Sequence, residues 1–363
     1  MDYLGMHMSD NNTKEALDKL TIDTPDPKVY KKVMENWDRI AKPLDGMGRF
    51  ETITAKIGAI LGTDEIDISK KAVIIMCADN GIVEEGVSQS GQDVTMAVVK
   101  QMAKGASSVG KMAVAIGADT IPIDIGINSR EKIPGVLDRK IRCGTGNFMK
   151  EAAMTEKEAV RAIFTGMEVA ADCKRKGYHI LAVGEMGLGN TTTSSAIAAA
   201  LLKCEVDDVT GRGAGLCDEK LQHKKQVIKE AIKKYDLYKA DPLFVLEAVG
   251  GLDIAGLAGV CIGGGLLHMP VVLDGVISIV AALLAERLVP GTMQYLISSH
   301  KGKEPAVEKL LEELQLEPVI DGKMALGEGT GAVMMLSLLE MALCIYRGKT
   351  LFSDIQVKQY ERY

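Results

Sequence analysis

The chain has 363 residues, enough for one large α/β domain with an appendage or for two domains. Aromatic residues make up only 4% of it and the net charge is −6 without a dense basic block, which argues against a nucleic-acid partner. Its seven cysteines form no C-x-x-C pair and its five histidines show no metal-ligand spacing. We therefore expect reduced thiols, a cytoplasmic location and no metal.

The chain begins and ends with helical patterns. An amphipathic helix is predicted over residues 28–41, and a further helix over residues 50–61 follows a turn rich in Pro and Gly. The apolar segment 332–346 predicts another helix near the end. We expect residues 1–60 together with 322–363 to form a small helical domain, and residues 61–321 to form a large α/β domain that carries the binding sites.

The middle of the chain alternates apolar strand patterns with helical patterns. Strands are predicted at residues 71–78, 120–125, 180–183, 270–273 and 293–297, with a short sixth one at 317–320. Thr155 and Glu158 have the spacing of a capping box for a helix that runs to residue 176, whereas residues 127–147 are expected to be irregular. This alternation predicts a parallel, Rossmann-like, doubly wound sheet with helices on both faces.

One segment, residues 254–273, is apolar enough to be considered as a membrane span. It contains five glycines, His268 and Pro270, and aspartates flank it on both sides. A core helix, a turn and a buried strand explain this composition better than a spanning helix, so no membrane partner is expected.

The third predicted strand leads into the sequence G-E-M-G-L-G-N-T-T-T. Gly187 and Gly189 allow the backbone to approach a ligand closely, and Asn190 and Thr191 are expected to cap a helix whose free N–H groups suit an anion. Glu185 would repel a phosphate and suits a ribose hydroxyl, a cationic ring or a proton. The alternative is a plain strand-to-helix turn with an exposed Glu. The glycine spacing is not the dinucleotide fingerprint, which disfavours a dehydrogenase.

Other polar glycine turns also follow or precede apolar runs. Asp79 and Asn80 lie just after the first strand, at the edge where open α/β sheets bind ligands. The run T-G-R-G-A-G opens a basic helix that contains Lys224, and backbone N–H groups with a lysine at a helix start suit a phosphate. An ordinary solvated lysine face is the alternative there.

Six motifs, in one order, resemble those of the nicotinate-nucleotide–dimethylbenzimidazole phosphoribosyltransferase family, and the resemblance covers roughly residues 25–346. The motifs are K-P-L-D-G-M-G-R-F-E at 42–51, C-A-D-N-G-I at 77–82, G-E-M-G-L-G-N-T-T at 184–192, V-G-G-L-D-I at 249–254, V-V-L-D-G at 271–275 and L-G-E-G-T-G-A at 326–332.

The resemblance implies transfer of the 5-phosphoribosyl group of nicotinate mononucleotide to 5,6-dimethylbenzimidazole. The products are nicotinate and α-ribazole 5'-phosphate, which serves lower-ligand synthesis for cobalamin. The resemblance also implies a parallel α/β sheet with a small second domain from both termini, a homodimer, and no cofactor or metal. A different acceptor, such as a purine, another benzimidazole or a phenol, and a non-catalytic nucleotide sensor are the alternatives.

The resemblance also assigns residues. It implies that Glu328 is the general base and that Glu185 lies near the nucleotide as a second catalytic candidate. Where the family motif has D-H-G, this chain has Asn80, which hydrogen-bonds but does not titrate. The expected nucleotide and phosphate residues are Gly187, Gly189, Asn190, Thr191, Gly211, Arg212, Gly213, Lys224 and Ser299. The expected base-binding residues are Asp79, Asn80, Ser88, Ser90, Gln92 and Leu326.

The chemistry of such a transfer requires one general base and no general acid from the protein. The pyridinium ring of nicotinate mononucleotide leaves without a general acid, because its departure neutralises the ring. The incoming imidazole loses one proton, for which a single carboxylate such as Glu328 suffices. The competing interpretation of Glu328 is structural, as a carboxylate stabilised by the dipole at a helix N-terminus.

Overall fold

The structure is a computed structural model that describes residues 12–89, 91 and 93–362, without the side chain of Asp93. Six parallel strands form one sheet in the order β3-β2-β1-β4-β5-β6. The strands are β1 (Lys71–Ala78), β2 (Asp119–Gly126), β3 (Leu137–Asp138), β4 (Ile180–Met186), β5 (Val271–Leu273) and β6 (Leu296–Ser298). The predicted doubly wound parallel α/β fold is confirmed.

Helices cover both faces of this sheet. One face carries α1 (Lys14–Leu17), α6 (Glu156–Arg175), α7 (Asn190–Leu202), α8 (Val206–Val209), α9 (Asp218–Tyr235), α10 (Pro242–Val249), α11 (Leu252–Leu266), α12 (Val276–Leu288) and α13 (Ala306–Glu313). The other face carries α2 (Pro27–Arg39), α3 (Arg49–Leu61), α4 (Asp93–Ala103), α5 (Ser108–Ala115) and α14 (Thr330–Arg347).

The central strand β1 shows why its sequence is an unbroken apolar run. Ala72, Ile74 and Met76 pack into the hydrophobic cluster on one face, while Val73 and Ile75 pack into the cluster on the other. Successive side chains of a strand point to opposite faces, so a strand covered on both sides needs apolar residues at every position.

The edges of the sheet differ from the expectation. The predicted strand at 317–320 is wrong: it is reduced to a single parallel bridge between His300 and Ile320, because Pro318 has no N–H for a ladder. The sixth strand is instead the two-residue β3, inside the segment expected to be irregular. The predicted strand at 293–297 begins later, since Thr292–Tyr295 form a 3-10 helix.

Several predicted local features are confirmed. Thr155 and Glu158 form both hydrogen bonds of a capping box at the start of α6. The apolar segment 254–273 forms most of the buried helix α11, a turn and β5. Among the described residues, only α14 is long and apolar enough to cross a membrane. Of its residues, 56% are buried, and it packs on the sheet as a core helix does.

The two ends of the described chain meet beside α3. The Trp37 and Tyr346 rings lie 5.2 Å apart, and the Ala41 N–H donates to the Thr350 carbonyl at 2.9 Å. Helices α2, α3 and α14 share one hydrophobic cluster with residues of the sheet. The division into a small domain (1–60 with 322–363) and a large domain (61–321) therefore stays a prediction.

Candidate active site

A cleft of about 310 Å³ opens at the carboxyl ends of β4, β5 and β6. The segments that follow these strands form its wall, together with residues 324–328 before α14. Glu185 and Glu328 both line the cleft, so the two turns that carry them face one cavity. The site lies beside the position where the strand order reverses, between β1 and β4, where open α/β sheets bind ligands.

The turn that carries Glu328 lies directly on β4. A Cβ atom on Gly184 would come within 2.3 Å of the Glu328 carbonyl oxygen, so only glycine permits this approach. Glu328 itself has φ of +63°, and its neighbours Gly327 and Gly329 have φ of +84° and +96°. Three successive residues in the left-handed region direct the Glu328 side chain into the cleft.

Asp274, at the end of β5, holds this turn. Its carboxylate accepts hydrogen bonds from the backbone N–H groups of Gly329 (3.0 Å), Gly331 (2.8 Å) and Ala332 (3.3 Å). These N–H groups form the N-terminus of α14, which otherwise has no side-chain cap. Burial raises the pKa of Asp274, while nearby His300 and the three backbone N–H groups favour its ionised form.

The Glu328 carboxylate is suited to taking up a proton. It is partly buried, and its Oε2 accepts a hydrogen bond from the Val109 N–H at 3.3 Å, in the first turn of α5. Burial raises its pKa, the Val109 bond lowers it, and the nearby Asp274 raises it. A raised carboxyl pKa brings a base closer to neutral pH, where proton transfer is most efficient.

Glu185, at the end of β4, faces two further acidic residues. Burial raises its pKa to about 8, and the neighbouring Asp253 and Asp274 add to the shift. The amide of Asn190 donates to Glu185 Oε2, which favours the ionised form. Asp253 is fully buried, and burial raises its pKa to about 6.

The start of α7 differs from the expectation. Gly189, with φ of +84°, is the N-cap residue and no side chain caps the helix, so the predicted capping by Asn190 and Thr191 is wrong. Asn190 turns to Glu185, while the Thr191 hydroxyl accepts a hydrogen bond from Lys224 Nζ at 3.0 Å. Both residues line the cleft, as Gly187 and Gly189 do. Their side chains contact Glu185 and Lys224 and do not cap the helix.

Thr191 and Gly213, two of the residues expected to bind phosphate, lie side by side in the cleft. Arg212 and Gly213 line it, whereas Lys224 is completely buried behind Thr191 and also donates to the Gly211 carbonyl at 3.2 Å. Arg212 is turned to the Leu216 carbonyl, at 2.8 Å, and to the Asp218 carboxylate. The phosphate assignments of these residues stay predictions.

Ser299 does not line the cleft among the described residues. Its hydroxyl donates to the Asp274 carbonyl at 3.4 Å and lies 2.9 Å from His300 Nδ1. It is completely buried, so it supports the residues around Asp274 and does not face the cavity. The structure therefore moves Ser299 from the expected phosphate contact to the layer beneath the cleft.

The residues expected to bind the base are divided. Ser88 and Leu326 line the cleft, and Leu326 is 55% exposed. Asp79 and Asn80 do not line it: Asp79 accepts from the Asn128 N–H at 2.8 Å, and the Asn80 amide donates to the Leu188 carbonyl at 3.1 Å. Both are buried beneath the cleft, because β1 is the central strand and its end is covered. Ser90 and Gln92 lie outside the described residues.

Sequence reasoning did not assign four polar residues to this site: Asp253, Asp274, His300 and Glu304. Asp253 lies in the first turn of α11, two residues after Gly251, and Asp274 directly follows a buried strand and precedes Gly275. That position was a usable signal, because the carboxyl ends of parallel strands meet at the binding edge. His300 and Glu304 carry no comparable local signal. Within the described residues, no group of three or more His, Cys, Asp or Glu side chains is arranged to hold a metal ion.

A phosphoribosyltransferase family profile matches residues 22–357. The protein named nicotinate-nucleotide–dimethylbenzimidazole phosphoribosyltransferase in Clostridium acetobutylicum is 42% identical over 93% of this chain and 96% of its own length. The protein of the same name in Acetivibrio thermocellus is 41% identical over 92% and 96%. The crystal structure of CobT from Thermus thermophilus has a TM-score of 0.87 and 35% identity, and the match covers 92% of this chain and 100% of that one. These matches run through both glutamate turns of the cleft, and the chain belongs to the nicotinate-nucleotide–dimethylbenzimidazole phosphoribosyltransferase family.

Proposed function

We propose that this enzyme transfers the 5-phosphoribosyl group of nicotinate mononucleotide to 5,6-dimethylbenzimidazole, in the synthesis of the cobalamin lower ligand. The products are α-ribazole 5'-phosphate and nicotinate. One observation carries the proposal: Glu328 and Glu185 line a single cleft together with Thr191 and Gly213. We assign Thr191 and Gly213 to the phosphate of the nucleotide and call their part of the cleft its anion-binding end. The names of the relatives supply the two substrates.

The reaction needs one base and a negative environment for a positive sugar. The pyridinium nitrogen of the nucleotide takes the electrons of its bond to C1 of the ribose and leaves as the neutral ring of nicotinate. The unprotonated nitrogen of the benzimidazole attacks C1, and the proton on its second nitrogen passes to Glu328. Attack opposite the leaving group converts the β-nucleotide into the α-product.

We assign Glu185 to the sugar and its charge. Its pKa of about 8 keeps much of it protonated at neutral pH. An entering pyridinium cation favours the ionised form, because opposite charges lower the pKa of a carboxyl group. The ionised Glu185 then stabilises the positive charge that develops at C1 during displacement.

A direct assay tests this function. The purified chain is incubated with nicotinate mononucleotide and a panel of acceptors: 5,6-dimethylbenzimidazole, benzimidazole, adenine and a phenol. Mass spectrometry of the products is expected to show free nicotinate and the phosphoribosylated benzimidazole. Binding of the nucleotide without nicotinate release would favour a sensor, and a product only from adenine or the phenol would change the acceptor.

The proposed enzyme is a cytoplasmic homodimer. Family membership and the absence of disulfide-type cysteine spacing support this assignment, since all seven cysteines are free in the structure.

A further inference from the structure

A carboxylate already occupies the anion-binding end of the cleft. Glu304 Oε1 accepts a hydrogen bond from the backbone N–H of Gly213 at 2.9 Å. Glu304 also lies against Gly211, because a Cβ atom there would come within 2.0 Å of Glu304 Oε2. The glycine loop that suits a phosphate is therefore in contact with an acidic side chain of the chain itself.

Lys224 supplies the positive charge at this end. Its ammonium is completely buried and donates to Thr191 Oγ1 at 3.0 Å and to the Gly211 carbonyl at 3.2 Å. In the part of the chain that the structure describes, no carboxylate lies within 4.0 Å of it. Burial lowers its pKa to about 8, and Glu304 is the group that opposes this shift.

These groups form one small pocket. A Cβ atom on Gly213 would lie 2.8 Å from Thr191 Oγ1, so the glycine N–H, the threonine hydroxyl and the lysine are close neighbours. Thr191, Gly213 and Glu304 all line the cleft. A phosphate at this place would use the Gly213 N–H that Glu304 holds, and two anions beside each other repel strongly where water is excluded.

We propose that Glu304 is a resident anion that the 5'-phosphate of the nucleotide must displace. This inference rests on the proposed function, because it concerns the phosphate group of the same substrates. Glu304 satisfies the Gly213 N–H and partly balances the charge of Lys224. On binding, the phosphate contacts the Gly213 N–H and Lys224, and the Glu304 side chain leaves the pocket.

The exchange has a consequence for turnover. Substrate and product both carry the 5'-phosphate, so an uncontested phosphate pocket would hold the product as firmly as the substrate. Glu304 competes with either one for the Gly213 N–H and so weakens both complexes. A competing side chain of this kind favours product release, which limits the rate of many enzymes.

The test measures phosphate affinity in a variant that lacks only the charge. Glu304→Gln is compared with the unaltered chain by isothermal titration calorimetry, with inorganic phosphate, nicotinate mononucleotide and nicotinate riboside as ligands. We expect Kd for phosphate and for the mononucleotide to fall roughly tenfold, because a charge-assisted contact no longer competes. The riboside has no phosphate, and its Kd is expected to stay unchanged.

Two further variants control this experiment. Glu308→Gln removes the same charge from the exposed face of α13, where Glu308 pairs with Lys301, and is expected to leave all three Kd values unchanged. Lys224→Ala is expected to abolish phosphate binding and to weaken the mononucleotide far more than the free base. A Glu304→Ala variant repeats the test with the whole side chain removed, and thermal melting verifies that each variant folds.

The outcomes separate this inference from the proposed function. Weaker or unchanged phosphate binding in both Glu304 variants, or equal shifts for mononucleotide and riboside, would overturn the displacement. Phosphate binding that Lys224→Ala leaves intact would place the anion elsewhere and also overturn it. If phosphate displaces Glu304 as described but no phosphoribosyl transfer occurs, the proposed function fails and the exchange stands.

Discussion

Glu328 combines backbone strain with a shifted pKa. Its φ of +63° is uncommon for a residue with a side chain, and such a conformation costs on the order of 1 kcal/mol or more. The three backbone hydrogen bonds to Asp274 offset this cost and keep the turn against β4. The strained conformation directs the carboxylate into the cleft, where the proposed mechanism needs a base.

Replacing Glu328 with Gln tests its role. Glutamine preserves the shape and accepts the Val109 hydrogen bond, but it cannot take up a proton, so turnover is expected to fall by roughly 10² to 10⁴ without loss of fold. In the unaltered enzyme, turnover should rise with pH as the raised pKa of Glu328 is passed, and the variant should lack this rise. Steady-state rates between pH 5 and 9, with circular dichroism as the folding control, measure both effects. Near-normal turnover would remove Glu328 from the role of base.

Glu185 should make the stability of the protein depend on pH. Its folded pKa of about 8 lies above the ordinary 4.5, so its contribution is fully present below pH 4.5 and is lost as the pH rises toward 8. Glutamine does not titrate. Relative to the unaltered chain, Glu185→Gln is therefore expected to gain stability between pH 5 and pH 8, on the order of 3 kcal/mol.

Urea unfolding at pH 5 and pH 8 measures this difference. Glu308→Gln is the control, because Glu308 is exposed and its Lys301 partner lowers its pKa, whereas the pKa of Glu185 is raised. The two substitutions therefore change the pH dependence of stability in opposite directions. A Glu185→Gln stability difference that stays the same at both pH values would contradict the raised pKa of Glu185.

At the scale of elements, Asp274 connects two segments that are distant in the chain. It ends β5, yet it caps the N-terminus of α14, more than fifty residues later, and thereby sets the position of Glu328. Helix α14 has no cap from its own sequence, because Gly329 precedes it. The start of this helix and the turn that carries Glu328 thus depend on a contact between elements.

Removal of this cap is expected to affect stability and turnover together. Asp274→Ala should lose about 2 kcal/mol or more of stability, because three buried N–H groups lose a charged acceptor, and turnover should fall as the Glu328 turn loosens. Asp241→Ala is the matched control, since Asp241 caps α10 with bonds of 3.1 Å and 3.2 Å far from the cleft. The control should lose about 1 kcal/mol and keep its turnover. Equal effects of the two variants on turnover, by chemical unfolding and steady-state assay, would show that Asp274 only stabilises the fold.

The elements also show which predictions local sequence supports. The interior strands β1 and β2 and the long helix α6 were predicted closely, because an apolar run or a capping box specifies them without distant partners. The edge strands were not: β3 has two residues, and the segment 317–320 makes only one bridge, to His300 after the end of β6. An edge strand exists only through its single neighbour, so its own sequence carries little information.

For the whole molecule, the family assignment implies an assembly that can be measured. One chain has a mass of 38.9 kDa, and we expect sedimentation equilibrium to give about twice that value for the proposed homodimer. The experiment is done across a range of protein concentrations, because an obligate dimer keeps its mass on dilution whereas a weak one dissociates. A mass of one chain at all concentrations would contradict the dimer.

The amino-acid sequence by itself determined the alternation of strands and helices, the glycine turns at the strand ends and the presence of Glu185 and Glu328 in two of these turns. These features are local: periodicity, turn residues and short motifs specify them with neighbours in the chain. Only the tertiary structure decided that Asp274 holds the Glu328 turn, that Asn190 contacts Glu185 and does not cap the helix, and that Glu304 contacts the Gly213 N–H in the cleft. Each of these contacts joins residues that only the stacking of parallel strands brings to one edge, and no local pattern encodes such a meeting.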